Sequence, residues 1–329
     1  MAVLEVRDLE VSFGETRILR GVSFDLHAGQ TLGIVGESGC GKSMTAFAIM
    51  AMLHHPGRIS GGSIRLEGRE IVGLPERAMQ ALRGSEIALV MQDPFTSLNP
   101  MMRIGDQIAE SYRLHEGLSR AQAWAKSVKM LDLVGVPVPE ASARKFPHQM
   151  SGGQRQRVVI AMAFACRPKV LIADEPTTAL DVTLQAQILR LLRQLQAQEG
   201  TAVMMISHDI GAIASIAERI AVFYAGRIVE TGFTEDVLRH PAMPYTHALL
   251  NALPRAGQTR LEAIGGQPPD FTRLGAGCPF GPRCPLRVKE CDAEPDLALV
   301  EGTHASACWR RKEVVRAPAG EPLIAMASQ

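Results

Sequence analysis

The stretch Thr31–Ser43 reads TLGIVGESGCGKS, and its second part, Gly36–Ser43, fits the pattern G-x-x-x-x-G-K-[ST]. A short apolar strand runs directly into the glycines, and a helical pattern follows from Ser43. Strand, Gly-rich turn and helix in that order are the context of a phosphate-binding loop. Gly36, Gly39 and Gly41, with Ser38 and Cys40 between them and Met44 just beyond, let backbone N–H groups turn inward around phosphate oxygens. The helix N-terminus adds partial positive charge. Lys42 is placed to pair with the β- and γ-phosphates and Ser43 to ligate Mg²⁺. Cys40 fills a loop position where a small side chain suits.

Working outward, segments rich in β-branched residues alternate with helical patterns to about Val237, which reads as an α/β domain. Strand character is clear at Leu4–Leu9, Val22–Leu26, Glu86–Met91, Lys169–Ala173, Ala202–Ser207 and Arg219–Tyr224, the last pairing with Arg227–Thr231 across Ala225-Gly226. From about Asp93 to Ala165 the sequence turns Met-, Leu- and Ala-rich with helical periodicity, a helical insertion. Past His240 prolines become frequent, and a separate C-terminal extension is expected, loose from Ala317. With 329 residues, 46% hydrophobic and 21% charged, the chain has the composition of a large globular protein. A net charge of +1 points to no nucleic-acid partner. The first residues, MAVLEVRDLEVSFGE, do not read as a secretory signal, and the longest apolar runs fall well short of the roughly 20 residues of a bilayer span.

Two further motifs carry chemistry. KVLIADEP (Lys169–Pro176) is an apolar strand ending in two carboxylates. Asp174 suits the outer coordination of Mg²⁺, and Glu175 could position or deprotonate an attacking water. In MSGGQ (Met150–Gln154) Ser151 is an evident helix N-cap, followed by Gly152 and Gly153 just inside the helix. Each glycine there costs about 1 kcal/mol against Ala. A phosphate that needs bare backbone N–H groups is the simplest reason for tolerating them.

Gly36–Ser43, Gln92, Ser151-Gly152-Gly153-Gln154, Asp174-Glu175, Ala179-Leu180-Asp181 and His208 stand in an order and spacing that resemble an ABC transporter ATPase over residues 3–235. The resemblance implies an α/β fold: a P-loop NTPase core with an antiparallel β subdomain and a helical subdomain inserted at about 93–165. It also assigns roles. Gln92 touches Mg²⁺ or the water and reports to the helical insertion; His208 resembles the switch histidine that bonds the γ-phosphate and Glu175. Asp181 either caps the following helix or acts at a dimer interface, and Phe13 resembles the aromatic that stacks on adenine, a strand-end core role being the alternative. Two such cassettes dimerise head to tail, so Ser151 and its glycines would complete the partner's site.

MQDPFTSLNPMMRIGDQIAE (Met91–Glu110), HPAMPYTHALLNALP (His240–Pro254) and IGGQPPD (Ile264–Asp270) resemble bacterial dipeptide/oligopeptide importer ATPases, as does GCPFGPRC (Gly277–Cys284) with its flanks. That branch implies an importer-type C-terminal domain over 236–329. It implies a second, similar ATPase subunit in a heterodimer, two membrane permeases and an extracytoplasmic peptide-binding protein, with this chain peripheral at the cytoplasmic face of the membrane. Some relatives carry nickel or other solutes, and a non-transport ABC ATPase is the rival from another class. Cys278, Cys284, Cys291 and Cys308 are separated by five, six and sixteen residues, none of them the C-x-x-C knuckle of structural zinc. Four thiolates with Pro beside two of them are compatible with an iron–sulfur cluster. The branch implies a 4Fe–4S cluster in some members; zinc and free thiols stay open. His304 has a substitute ligand's chemistry by residue type, with an incidental placement the favoured reading.

Overall fold

A computed structural model describes residues 2–178, 180–253 and 264–315. The expected loose tail, and Ala179 of the Ala179-Leu180-Asp181 motif, lie outside these residues. Twelve strands are described: β1 (Ala2–Phe13), β2 (Thr16–His27), β3 (Thr31–Val35), β4 (Gly57–Leu66), β5 (Arg69–Glu70), β6 (Ile87–Val90), β7 (Val170–Asp174), β8 (Ala202–Ile206), β9 (Arg219–Tyr224), β10 (Arg227–Phe233), β11 (Ala298–Glu301) and β12 (His304–Ser306). They form a four-stranded antiparallel sheet, order β2-β1-β4-β5, and an eight-stranded mixed sheet, order β11-β12-β10-β9-β3-β8-β7-β6. Within the large sheet, β9, β3, β8, β7 and β6 are mutually parallel neighbours.

The parallel strands are apolar along their middles because both faces are covered, with Thr31, Asp174 and Arg219 only at strand ends. Alternation divides them between two cores. Val170, Ile172, Met204 and Ile206 pack toward β1 and β2, whereas Leu171, Ala173, Val203 and Met205 pack toward the helices. On the first side sits α1 (Lys42–Ile49), followed in the chain by α2 (Glu76–Leu82). On the second side lies the expected helical insertion: α3 (Pro94–Ser97), α4 (Ile104–His115), α5 (Arg120–Leu133), α6 (Pro139–Ala143) and α7 (Gly152–Phe164). α8 (Val182–Glu199) and α9 (Ile210–Ile216) complete that layer, so the insertion shares one continuous core with the sheet. α7, the helix that Ser151 caps, is buried along most of its length, including Val158–Ala161 and Phe164.

The C-terminal segment is less separate than its composition implies. β12 pairs with β10 through Glu230↔Ser306 and Thr231↔Ala305, so β11 and β12 extend the ATPase sheet itself. Before them, α10 (Thr234–Arg239) and α11 (Pro244–Asn251) lead out of β10. Beneath the join, Glu230 is completely buried, with its Oε1 2.7 Å from His304 Nε2 and also accepting from the Ala242 N–H. Ser306 Oγ donates to the Ala242 carbonyl at 2.9 Å. His304, which by residue type could have served as a metal ligand, is therefore committed to Glu230. Two ion pairs from Glu294, to Arg20 at 2.5 Å and Arg227 at 3.2 Å, hold the segment from another side.

Burial pushes the Glu230 carboxyl above the usual carboxylate range, against the opposing hydrogen bond from His304. A raised folded-state value means the stabilising contribution is complete at low pH and lost as pH rises through that value. His304→Ala leaves the carboxyl short of a partner, at a cost of about 1–3 kcal/mol. We expect a lower melting temperature and faster proteolysis of the C-terminal segment, with a larger loss at pH 8 than at pH 5. Equal losses at both pH values would mean that Glu230 is not the group responsible.

Candidate active site

Four adjacent parallel strands each deliver a polar side chain at their carboxyl ends, where open α/β sheets bind ligands. In spatial order these are Lys42 after β3, His208 after β8, Glu175 after β7 and Gln92 after β6. The register pairs Ile34 with Ile206, Ile206 with Asp174, and Ala173 with Val90, so the ends are nearly level. Between them opens a cleft of ≈ 500 Å³, lined by Ile18, Ser38, Gly39, Gly41, Lys42, Ser43, Met44, Gln92, Glu175, Thr178 and His208.

The phosphate loop wraps a lysine. Lys42 is 5% exposed, and its Nζ donates to the carbonyls of Gly36 (2.8 Å) and Glu37 (3.0 Å). Gly36 has no room for a side chain: an added Cβ would lie 2.3 Å from the Phe223 carbonyl oxygen and 2.8 Å from Cys40 Sγ. The Cys40 thiol is turned into the core, where burial raises its pKa, and it does not line the cleft. Ser43 Oγ donates to Asp174 Oδ1 at 3.1 Å. Asp174 is 7% exposed, and burial pushes its carboxyl above the usual range despite that hydrogen bond. A buried carboxylate beside a serine hydroxyl at a phosphate loop is the donor set a hard divalent cation takes, so these two residues fit Mg²⁺.

Glu175 is held from three sides. Gln92 Nε2 donates to its Oε2 at 3.0 Å, Thr178 Oγ1 donates to the same oxygen at 2.9 Å, and His208 Nδ1 lies 3.2 Å from Oε1. Its backbone sits at φ 50°, a left-handed conformation that costs a non-glycine residue on the order of 1–3 kcal/mol. That turn, anchored by Glu175 N–H to the Ile206 carbonyl, aims the carboxylate into the cleft directly after the strand. Thr178 escaped the sequence reading. Its signal was only its position three residues after Glu175, within the turn.

Other expected site residues lie outside this cleft. Ser151 caps α7 reciprocally with Gln154, Ser151 Oγ accepting from Gln154 N–H and Ser151 N–H donating to Gln154 Oε1. Ser151 and Gly152 are exposed, and space around Gly152 is open. Gly153 is different: an added Cβ would lie 2.6 Å from Leu184 Cδ2 in α8. Its lack of a side chain answers to helix packing as well as to any ligand, a reason the sequence did not show. Asp181 caps α8, accepting from the Leu184 N–H at 2.9 Å. Phe13 is half-buried at the end of β1, with its ring against Gly57. Cys278, Cys284, Cys291 and Cys308 are all half-buried free thiols. Among the described residues no three His, Cys, Asp or Glu side chains converge tightly enough to hold a single metal ion.

Gly153→Ala is expected to destabilise the fold by about 1–3 kcal/mol through overpacking, and Leu184→Ala in the same chain to recover part of the loss. Gly152→Ala should leave the melting temperature unchanged or slightly raised. An unchanged Gly153→Ala melting temperature would remove Leu184 as the reason for that glycine.

Comparison with known proteins agrees with this geometry. A family model described as ABC transporter matches residues 19–178, and one described as Oligopeptide/dipeptide transporter, C-terminal region matches residues 229–291. The chain is 50% identical over 317 residues to the oligopeptide transport ATP-binding protein OppD of Salmonella typhimurium, covering 94% of each chain. It is 44% identical over 315 residues to the dipeptide transport ATP-binding protein DppD of Bacillus subtilis, covering 93% of this chain and 94% of the relative. Among solved structures, the ATP-binding cassette MJ0796, in a dimeric post-hydrolysis state bound to ADP and Pi, matches with a TM-score of 0.63 at 25% identity. That match covers 70% of this chain and 98% of the cassette. With a phosphate loop, a clamped carboxylate and these relatives, the chain belongs to the ABC transporter family, as an ATP-hydrolysing, ATP-binding subunit of the branch with the oligopeptide/dipeptide transporter C-terminal region.

Proposed function

We propose that this chain powers import of dipeptides or oligopeptides, working at the cytoplasmic face of the cell membrane with two permease subunits, a second similar ATPase subunit and an extracytoplasmic peptide-binding protein. The observation that carries the catalytic part is the Glu175 carboxylate, fixed by Gln92, Thr178 and His208 in the cleft that Lys42 and Ser43 also line. The peptide part is supported by relatives named for oligopeptide and dipeptide transport that match over more than nine-tenths of the chain. No described helix is long and apolar enough to cross a membrane, and the permeases are assigned that task.

In this reading Lys42 exchanges its two carbonyl partners for β- and γ-phosphate oxygens as ATP enters. Ser43 and Asp174 are the residues that would hold Mg²⁺, which when bound would supply positive charge to neutralise the phosphoryl oxygens. Glu175 orients the attacking water and takes its proton, with Gln92 and Thr178 fixing one carboxylate oxygen so that the other faces His208 and the γ-phosphate. Adenine stacking is assigned to Phe13. Exposed Ser151 and Gly152 and half-buried Gln154, all outside this cleft, are assigned to the partner's nucleotide across a head-to-tail dimer, with Asp181 beside them. The dimeric state of the similar cassette MJ0796 supports that arrangement.

Reconstitution with the permeases and binding protein tests this reading, and the expected result is ATP hydrolysis stimulated by short peptides. Glu175→Gln in the same system should bind ATP as the parent does but turn over roughly 10²–10³-fold more slowly. Stimulation by nickel alone would sink the peptide assignment; parental turnover in the variant would sink the role of Glu175.

We infer that Cys278, Cys284, Cys291 and Cys308 hold a 4Fe–4S cluster, with structural zinc as the alternative. Burial raises the thiol pKa of Cys278, pushes Cys284 to about 11 and Cys308 to about 12. Each of these three thiols also feels other members of the four electrostatically, so they share one neighbourhood. Backbone N–H groups of Phe280, Gly281, Leu286 and Arg310 face the sulfurs and favour thiolates, as they do around clusters. The cluster would cross-link a Pro-rich segment with few apolar residues. Anaerobically purified protein should contain about four iron and four sulfide per chain; zinc without iron would overturn the assignment.

A further inference from the structure

An acid at the second position of the phosphate loop is out of place in a site that receives a polyanion, since like charges repel most strongly where water is scarce. Yet Glu37 stands there, and unlike Ser38, Gly39, Gly41, Lys42 and Ser43 it does not line the cleft. Its carboxylate turns the other way, into a fork offered by the C-terminal segment. Arg283 Nη1 donates to Glu37 Oε2 at 2.6 Å and Nη2 to Oε1 at 2.8 Å, a bidentate pair with the arginine side chain only 5% exposed. Arg283 is in turn fixed. Its Nε donates to the Gly265 carbonyl at 2.7 Å, its Nη1 also reaches Tyr224 Oη at 3.2 Å, and its guanidinium lies over the Tyr224 and Phe280 rings.

The backbone of Glu37 is tied as firmly as its side chain. Its N–H donates to Tyr245 Oη at 2.7 Å, and its carbonyl accepts from Lys42 Nζ at 3.0 Å. Tyr245, Tyr224 and Phe280 form one aromatic cluster, with ring centroids 4.4 to 5.4 Å apart. The residue that supports Lys42 from below is thus itself held by two side chains, Tyr245 and Arg283, that follow the cassette proper in the sequence.

We propose that Arg283 is a positioning residue for nucleotide binding: it holds the Glu37 carboxylate paired and turned away from the cleft, so that no free negative charge stands beside the approaching phosphates. The proposal rests on the reading of the cleft as the ATP site. It makes the C-terminal segment a working part of that site, placed one residue from Cys284. Loss of Arg283 leaves an unpaired carboxylate next to the phosphate loop; removing that carboxylate as well restores neutrality.

The test is fluorescence titration of the full chain with trinitrophenyl-ATP, without turnover, alongside melting temperatures. Arg283→Gln should raise the Kd tenfold or more, a shift of about 1.4 kcal/mol, and Arg283→Lys, which keeps the charge but not the fork, should fall between. Glu37→Gln combined with Arg283→Gln should return the Kd to within about threefold of the parent. That rescue separates positioning from general damage, because the lost contacts to Gly265 and Tyr224 are absent in both variants. An unchanged Kd in folded Arg283→Gln, or a double variant as weak as the single one, would overturn the proposal. If the parent itself does not bind the analogue, the ATP-site reading fails instead.

Discussion

A buried ammonium group organises the nucleotide end of this molecule. Lys42, almost wholly removed from water, must find acceptors, because an unpaired buried charge is far too costly to keep. The acceptors are main-chain carbonyls of Gly36 and Glu37, and reaching them forces the chain to curl around the lysine. That curl presses Gly36 against the Phe223 carbonyl at the end of the neighbouring strand, where no side chain fits. The loop's shape is therefore set by β3 beneath it, β9 beside it and the C-terminal segment behind it. Its own glycines permit that shape and do not dictate it.

Catalytic geometry is distributed differently. The carboxylate of Glu175 depends on a left-handed backbone at the end of β7 and on three partners drawn from three separate turns. Gln92 comes from the entrance to the helical insertion, so the group that fixes the carboxylate also begins the segment that packs against α7. A shift of the insertion relative to the sheet would move Gln92 with it and loosen Glu175. This gives a physical route between the helical layer and the reacting centre without any contact at a distance.

Parts of the fold that were legible in the sequence share a cause. Strands buried on both faces, such as Val170–Asp174 up to its last residue and Ala202–Ile206, are apolar, and long helices such as Val182–Glu199 repeat their apolar positions. β4 was hidden because GRISGGSIRL is Gly-rich and buries only Ile64 and Leu66, so its place depends on pairing with β1 and β5. β11 and β12 were hidden because their place is decided by β10, about seventy residues earlier. His304 offered a ligand's chemistry, but only the sheet pairing brings it to Glu230.

By itself the sequence determined the chemistry: a phosphate loop, two carboxylates after an apolar strand, a glutamine, a histidine and a capped Gly-Gly helix start, each type fixed by what its position must do. It also located the helical insertion, through a change in periodicity that needs no tertiary contact to be read. Only the tertiary structure decided who faces whom. The chain visits the strands in the order β3, β6, β7, β8, but the sheet sets them as β3, β8, β7, β6, and so places His208 and Gln92 on opposite sides of Glu175. The same nonlocal pairing joined the C-terminal segment to the core and brought Arg283 to Glu37 across 246 residues. Residue type is a local property, whereas adjacency in a parallel sheet is settled by crossovers and burial that no short stretch encodes.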